Sequence, residues 1–127
     1  MAESRLLSEV RLALGREAGL VLFRQNTGQA WTGDVVERRP DVLVLADPRP
    51  LHAGLCKGSS DLIGWRMVRV TEDMVGRHLA VFTAIETKSP RGRVTPEQET
   101  FIANLQRAGG IAGVARSVDD ARRIVLL

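Results

Sequence analysis

The chain is 127 residues long, 44% hydrophobic and 26% charged, with a formal net charge of +3 and a single cysteine. That length fits one small domain, residues 1–127, and the composition is ordinary for a globular protein. Cys56 alone excludes an internal disulfide and a cysteine-based zinc cluster, His52 and His78 are too far apart for a metal pair, and without a membrane-length apolar run or signal peptide the chain reads as cytoplasmic with no membrane role.

Residues 4–18 have helical periodicity, with Leu6, Val10, Ala13 and Leu14 on one side and Gly19 as the stop. Residues 20–24 read as a strand, and Asn26-Thr27-Gly28 turns the chain. Two short strands follow at 35–38 and 41–45, joined by a turn containing Pro40. Residues 47–58 read as a mobile, insertion-tolerant loop. Residues 61–65 and 67–70 look like the arms of a bent hairpin, and 71–74 like a short helical turn. The stretch 79–88 is almost continuously apolar and predicts a strong strand. Thr95 caps the next helix, Pro96 takes its first position, Phe101, Ile102 and Leu105 form its inward side, and Gly109-Gly110 stops it. A strand over 111–115 and a helix capped at Ser117, running towards residue 127, complete the chain. This order predicts an α/β domain, a mixed sheet flanked by helices, with a right-handed parallel crossover between the 79–88 and 111–115 strands.

The chemistry centres on Glu86 and Lys88, which share one face of a strand at i, i+2. Such a tripeptide is common, and an exposed strand end with two solvated charges explains it by itself. It gains meaning with Asp61, which follows the pliable Gly58-Ser59-Ser60. Asp61 reads alone as a turn-capping aspartate. Together with Glu86 it offers two oxygen ligands for Mg²⁺ or Mn²⁺, to which the Thr87 carbonyl can add a third. Beside such an ion, Lys88 can orient or deprotonate water, or offset the charge that builds on a phosphorane.

On the helical wheel Glu3 lies within about 20° of the apolar direction of the first helix, ahead of Glu9 on its flank. It serves either as a third carboxylate of the site or as favourable charge at the helix N-terminus. Gln98 has two readings as well, as the partner of Thr95 in a capping box or as a group reaching water or phosphate. Arg91 and Arg93 follow Lys88 in a short basic loop, and with Arg24, Asn26 and Arg116 they are candidate phosphate contacts. Trp31 and Trp65 could stack on bases, although core packing suits at least one. Sixteen arginines against two lysines fit a polyanionic partner, and GC-rich coding explains the bias equally.

Taken in order, Glu3 on an opening helix, Phe23-Arg24-Gln25-Asn26-Thr27-Gly28, Gly58-Ser59-Ser60-Asp61-Leu62-Ile63-Gly64, Ile85-Glu86-Thr87-Lys88, Thr95-Pro96-Glu97-Gln98 and Gly113-Val114-Ala115-Arg116-Ser117 closely resemble the VRR-NUC family. These are small nucleases of the PD-(D/E)xK superfamily, with stand-alone phage and bacterial members. The resemblance implies a restriction-endonuclease-like α/β core. It implies that Asp61 and Glu86 hold Mg²⁺ or Mn²⁺, that Lys88 serves the attacking water, and that Glu3 and Gln98 complete the site. It further implies a DNA endonuclease acting on branched DNA, flaps or Holliday junctions, in replication and repair. A homodimer with two-fold-related sites would suit symmetric nicking of a junction. The superfamily's usual proline before the aspartate is Ser60 here, which alters the stiffness of the bend and not its ligands. The rival readings are a non-catalytic DNA-binding module of the same fold and a nuclease subunit that needs a partner.

Overall fold

A computed structural model describes residues 2–126. Helix α1 (Ala2–Leu14) leads into strand β1 (Leu20–Arg24), then β2 (Gly28–Arg39), β3 (Val42–Ala53) and β4 (Leu62–Arg66). A single 3-10 turn (Glu72–Met74) precedes β5 (Thr83–Thr87), α2 (Pro96–Arg107), β6 (Ile111–Ala115) and α3 (Val118–Val125). The strands pair as β1 with β4, β2 with β3 and β5 with β6. The α/β class expected from the sequence is the observed one, with three separate two-stranded sheets, two of them not continuous with the β5–β6 ladder, in place of a single mixed sheet. The fold divides into two packed units, Met1–Leu12 with Leu22–Ile63, and Ala13–Val21 with Gly64–Leu127.

In the first unit, β2 and β3 form a long antiparallel ribbon from Gly28 opposite Ala53 to Arg39 opposite Val42. The ribbon is longer than the two short strands predicted, and β3 runs through Asp47-Pro48-Arg49-Pro50, which read as loop. Prolines remove ladder donors, but in a two-stranded ribbon each strand is an edge with one unpaired side, where a missing N–H costs nothing. Register shifts lie between Thr32 and Asp34 and between Val35 and Glu37. Gly33 sits at the first shift, where an added Cβ would meet the Ala46 carbonyl oxygen at 2.8 Å.

The rest of the predicted mobile loop is also tied down. Gln25 accepts a hydrogen bond from Leu55 N on Oε1 (2.9 Å) and donates from Nε2 to Ser59 Oγ (2.8 Å) and Ser60 O (3.2 Å). Its backbone N–H donates to Asp61 O at 2.8 Å. Gly54 holds φ +83°, and a Cβ there would overlap Asn26 O and Gln25 Oε1. Only glycine meets both demands.

In the second unit the expected 61–65/67–70 hairpin does not form. Residues 67–70 carry no strand, because β4 takes β1 as its partner and Met67 N donates to Gly19 O at 2.6 Å. Strand β5 is shorter than the apolar run that announces it, since its parallel partner is five residues long. The ladder closes with Ile111 N to Phe82 O and Lys88 N to Ala115 O, both 3.0 Å. Residues 79–82 therefore leave the sheet.

Helix α2 crosses between the two strands and buries Leu105 completely, with Ala112 and Ala115 of β6 the other buried apolar residues among those described. Trp65 packs on Phe82 (ring centroids 5.3 Å apart) and edge-on against Phe101 (5.9 Å), as expected for at least one tryptophan. Gly113 lets α3 approach β6, since a Cβ there would stand 2.8 Å from Ile124 Cδ1. Helix α3 is capped as predicted, with Asp120 N donating to Ser117 Oγ, and residue 127 lies outside the described residues.

Candidate active site

Strand β5 alternates as its pattern demands. Ala84 and Glu86 are half-buried, Thr83, Ile85 and Thr87 are exposed, and Lys88 continues the half-buried face just past the strand. That face meets the first turns of α2, where Glu86, Gln98, Phe101 and Ile102 line a cavity of about 310 Å³. The parallel crossover thus puts the helix's start beside the strand's end, the usual place for a site in such a unit.

Glu86 is held by two donors on one oxygen. Lys88 Nζ lies 3.3 Å from Glu86 Oε1, and Gln98 Nε2 donates to the same oxygen at 3.0 Å. The two charged side chains are only 31% (Glu86) and 18% (Lys88) exposed, so water screens this pair less than a surface pair. Among the described residues no hydrogen bond falls on Oε2, so both donors leave that oxygen's lone pairs unused. Strand alternation places Glu86 and Lys88 on one face, in contact.

Gln98 takes the capping-box reading, and its free amide end reaches the Glu86 carboxylate. Its Oε1 accepts from Thr95 N (3.0 Å) while Thr95 Oγ1 accepts from Gln98 N (3.1 Å), a full capping box. Its Nε2 remains for Glu86. The cap therefore locks the side chain that locks the carboxylate.

The loop after Lys88 is organised by Arg116. Nη1 donates to the carbonyls of Ser89 (2.6 Å) and Gly92 (2.7 Å) and lies 3.5 Å from that of Pro90. Gly92 N donates back to Ser89 O at 3.0 Å, closing the turn. Asp120 Oδ2 accepts from the Arg116 backbone N–H, fixing the start of that side chain. Arg91 and Arg93 extend from this clasped turn into solvent. Nothing in the sequence around Arg116 indicates this clasp, because its three carbonyls lie more than twenty residues upstream.

The remaining candidates belong to the other unit. Asp61 is exposed at the entrance to β4, and no hydrogen bond falls on its carboxylate among the described residues. Arg24 and Asn26 are exposed at the end of β1 and in the turn after it. Glu3 is exposed in the first turn of α1, on the stripe that continues to the half-buried Leu7 and Val10. The alternative Glu9 is engaged by Arg5 at 2.8 Å, both side chains well exposed. The described residues contain no group of three or more His, Cys, Asp and Glu side chains able to hold a metal ion. Any cation site here consists of fewer such side chains, completed by carbonyl, water or phosphate oxygen, which hard divalent ions accept.

No helix among the described residues is long and apolar enough to cross a membrane. Neither the curated proteins nor the solved structures hold a match to the chain. The sequence pattern of the VRR-NUC domain matches residues 29–119, a stretch that contains Asp61, Glu86, Lys88, Gln98 and Arg116. With most of its length inside that match, the chain belongs to the VRR-NUC domain family, a family of nucleases acting on DNA.

Proposed function

We propose that the chain is a divalent-metal-dependent DNA endonuclease that cleaves branched DNA, with residues 1–127 acting as one catalytic domain in the cytoplasm. The carrying observation is the half-buried Glu86 carboxylate, held on one oxygen by Lys88 and Gln98 and open on the other. Glu86 fits the chemistry of a hard-cation ligand, and the Thr87 carbonyl and Asp61 are the further oxygens that the sequence motif supplies. A bound Mg²⁺ or Mn²⁺ would supply charge neutralisation at the phosphate and a more acidic water. The protein's own part is positional. Gln98 fixes the rotamer of Glu86, and Lys88 offers a cation where negative charge grows as the phosphodiester is attacked in line. Glu3 is proposed as an accessory carboxylate. Arg24, Asn26, Arg91, Arg93 and Arg116 are proposed to meet the DNA backbone, with Arg116 also shaping the loop that carries two of them.

The family resemblance supports a homodimer, and so do the exposed Trp31, Val35, Val36, Leu43 and Leu51 of the β2–β3 ribbon, since a lone two-stranded ribbon with apolar side chains in water needs cover. Labelled duplex, flap and four-way-junction DNA incubated with Mg²⁺, Mn²⁺ or EDTA tests the assignment. Cleavage of the branched substrates with either ion, and none in EDTA, is expected. Full activity in EDTA or in Asp61→Asn sinks the metal assignment. Salt-sensitive binding without cleavage in Mn²⁺ identifies a binding module instead.

A further inference from the structure

We infer that Gln25 is the positioning residue for Asp61, fastening both ends of the 54–61 loop that presents its carboxylate. The inference rests on the reading of Asp61 as a site residue. Four hydrogen bonds join Gln25 to this loop: Leu55 N at its start, Ser59 Oγ and Ser60 O near its end, and Asp61 O at its exit. Ser59 Oγ in turn donates to Cys56 O at 2.7 Å, so the middle of the loop hangs on the same anchor. Gly54 carries no side chain where one would strike Gln25 Oε1 and Asn26 O, which keeps the loop pressed against the amide.

The side chain's chemistry is matched to this task. It must accept from a backbone N–H and donate to both a hydroxyl and a carbonyl, which a carboxamide does and neither a carboxylate nor a guanidinium can. Gln25 and Ser59 are half-buried, so the bond between them competes less with water, while the bonds to Leu55 N and Ser60 O are exposed. It is also neutral. A glutamate in its place would lose the bond to Ser60 O and set a second negative charge near Asp61.

The test compares Gln25→Ala, Ser59→Ala and Asp61→Asn in the full chain by cleavage kinetics, calorimetric titration with Mn²⁺ in the absence of DNA, and amide hydrogen exchange. Gln25→Ala is expected to lower kcat about tenfold or more with KM for DNA changed less than about twofold. Its Mn²⁺ affinity should fall by a similar factor, and the Leu55 amide should lose protection while those of β5 and β6 keep theirs. Ser59→Ala should move the same quantities in the same direction by less. A lowered melting temperature with Mn²⁺ affinity unchanged means Gln25 only stabilises the fold, and overturns the inference. If Gln25→Ala does not fold, Ser59→Ala decides, and an unchanged Mn²⁺ affinity there overturns it. Asp61→Asn separates the two levels. Should it cleave like the parent, the reading of Asp61 fails and the inference with it. Should it be inactive while Gln25→Ala keeps parental kcat and Mn²⁺ affinity, the inference alone fails.

Discussion

Glu86 illustrates how a carboxylate is prepared by its neighbours. Both donors that reach it converge on Oε1, so they orient the group without closing it. Lys88→Met keeps the length of the stem and removes the charge. It should depress cleavage by about 100-fold or more, the scale of losing one preorganised charge-stabilising group, while gel-shift binding to DNA persists. The double role of Gln98 can be split by two substitutions. Gln98→Glu retains an acceptor for Thr95 N but loses the donor to Glu86 and faces it with like charge. A hydrogen bond to a charged group contributes about 1.5–3 kcal/mol to stability, so a lowered melting temperature is expected together with a loss of cleavage rate larger than that of Thr95→Ala. Thr95→Ala cuts the cap instead and should cost about 1 kcal/mol of stability, read by chemical denaturation, with a smaller effect on rate.

At the scale of elements, the features written locally were legible. Thr95-Pro96-x-Gln98 specifies its cap through residues three apart, and strand alternation alone puts Glu86 and Lys88 on one face. The parallel pairing of β5 with β6 follows from an apolar strand, a capped helix and a second apolar strand in succession. What escaped prediction is non-local. The partner of β4 is β1, some forty residues earlier, and no periodicity within 61–70 distinguishes that pairing from a hairpin. The anchoring of residues 54–61 depends on Gln25, and the turn at 89–92 depends on Arg116, each a single side chain distant in sequence. The helix-to-sheet packing gives a direct check. Leu105→Ala, at the fully buried position of α2, should cost about 2–5 kcal/mol in urea denaturation, at the high end if its cavity does not collapse. Gly113→Ala should also destabilise, by about 1–3 kcal/mol, because its methyl group would press on Ile124.

For the whole molecule, net charge says little and its distribution says more. A formal charge of +3 is small, yet Arg91 and Arg93 are exposed in the connection between β5 and α2, the two elements that line the Glu86 cavity. If each meets a phosphate of duplex DNA, the Arg91→Ala, Arg93→Ala double variant should reduce the slope of log affinity against log salt by nearly 2, at about 0.9 per contact. Fluorescence anisotropy over a salt series measures this, and an unchanged slope places the DNA elsewhere. The β5–β6 ladder has a further consequence, for the order of assembly. Its first pair joins Thr83 to Ile111, so the strands meet only after the chain between them has been gathered in. The β2–β3 ribbon closes through adjacent residues and can form within microseconds as hairpins do, but the ladder must first meet a loop-closure cost. Glu86 and Gln98 lie on opposite sides of that closure. The ribbon is therefore expected to gain protection before the ladder that brings Glu86 and Gln98 together, which pulse-labelled hydrogen exchange during refolding checks.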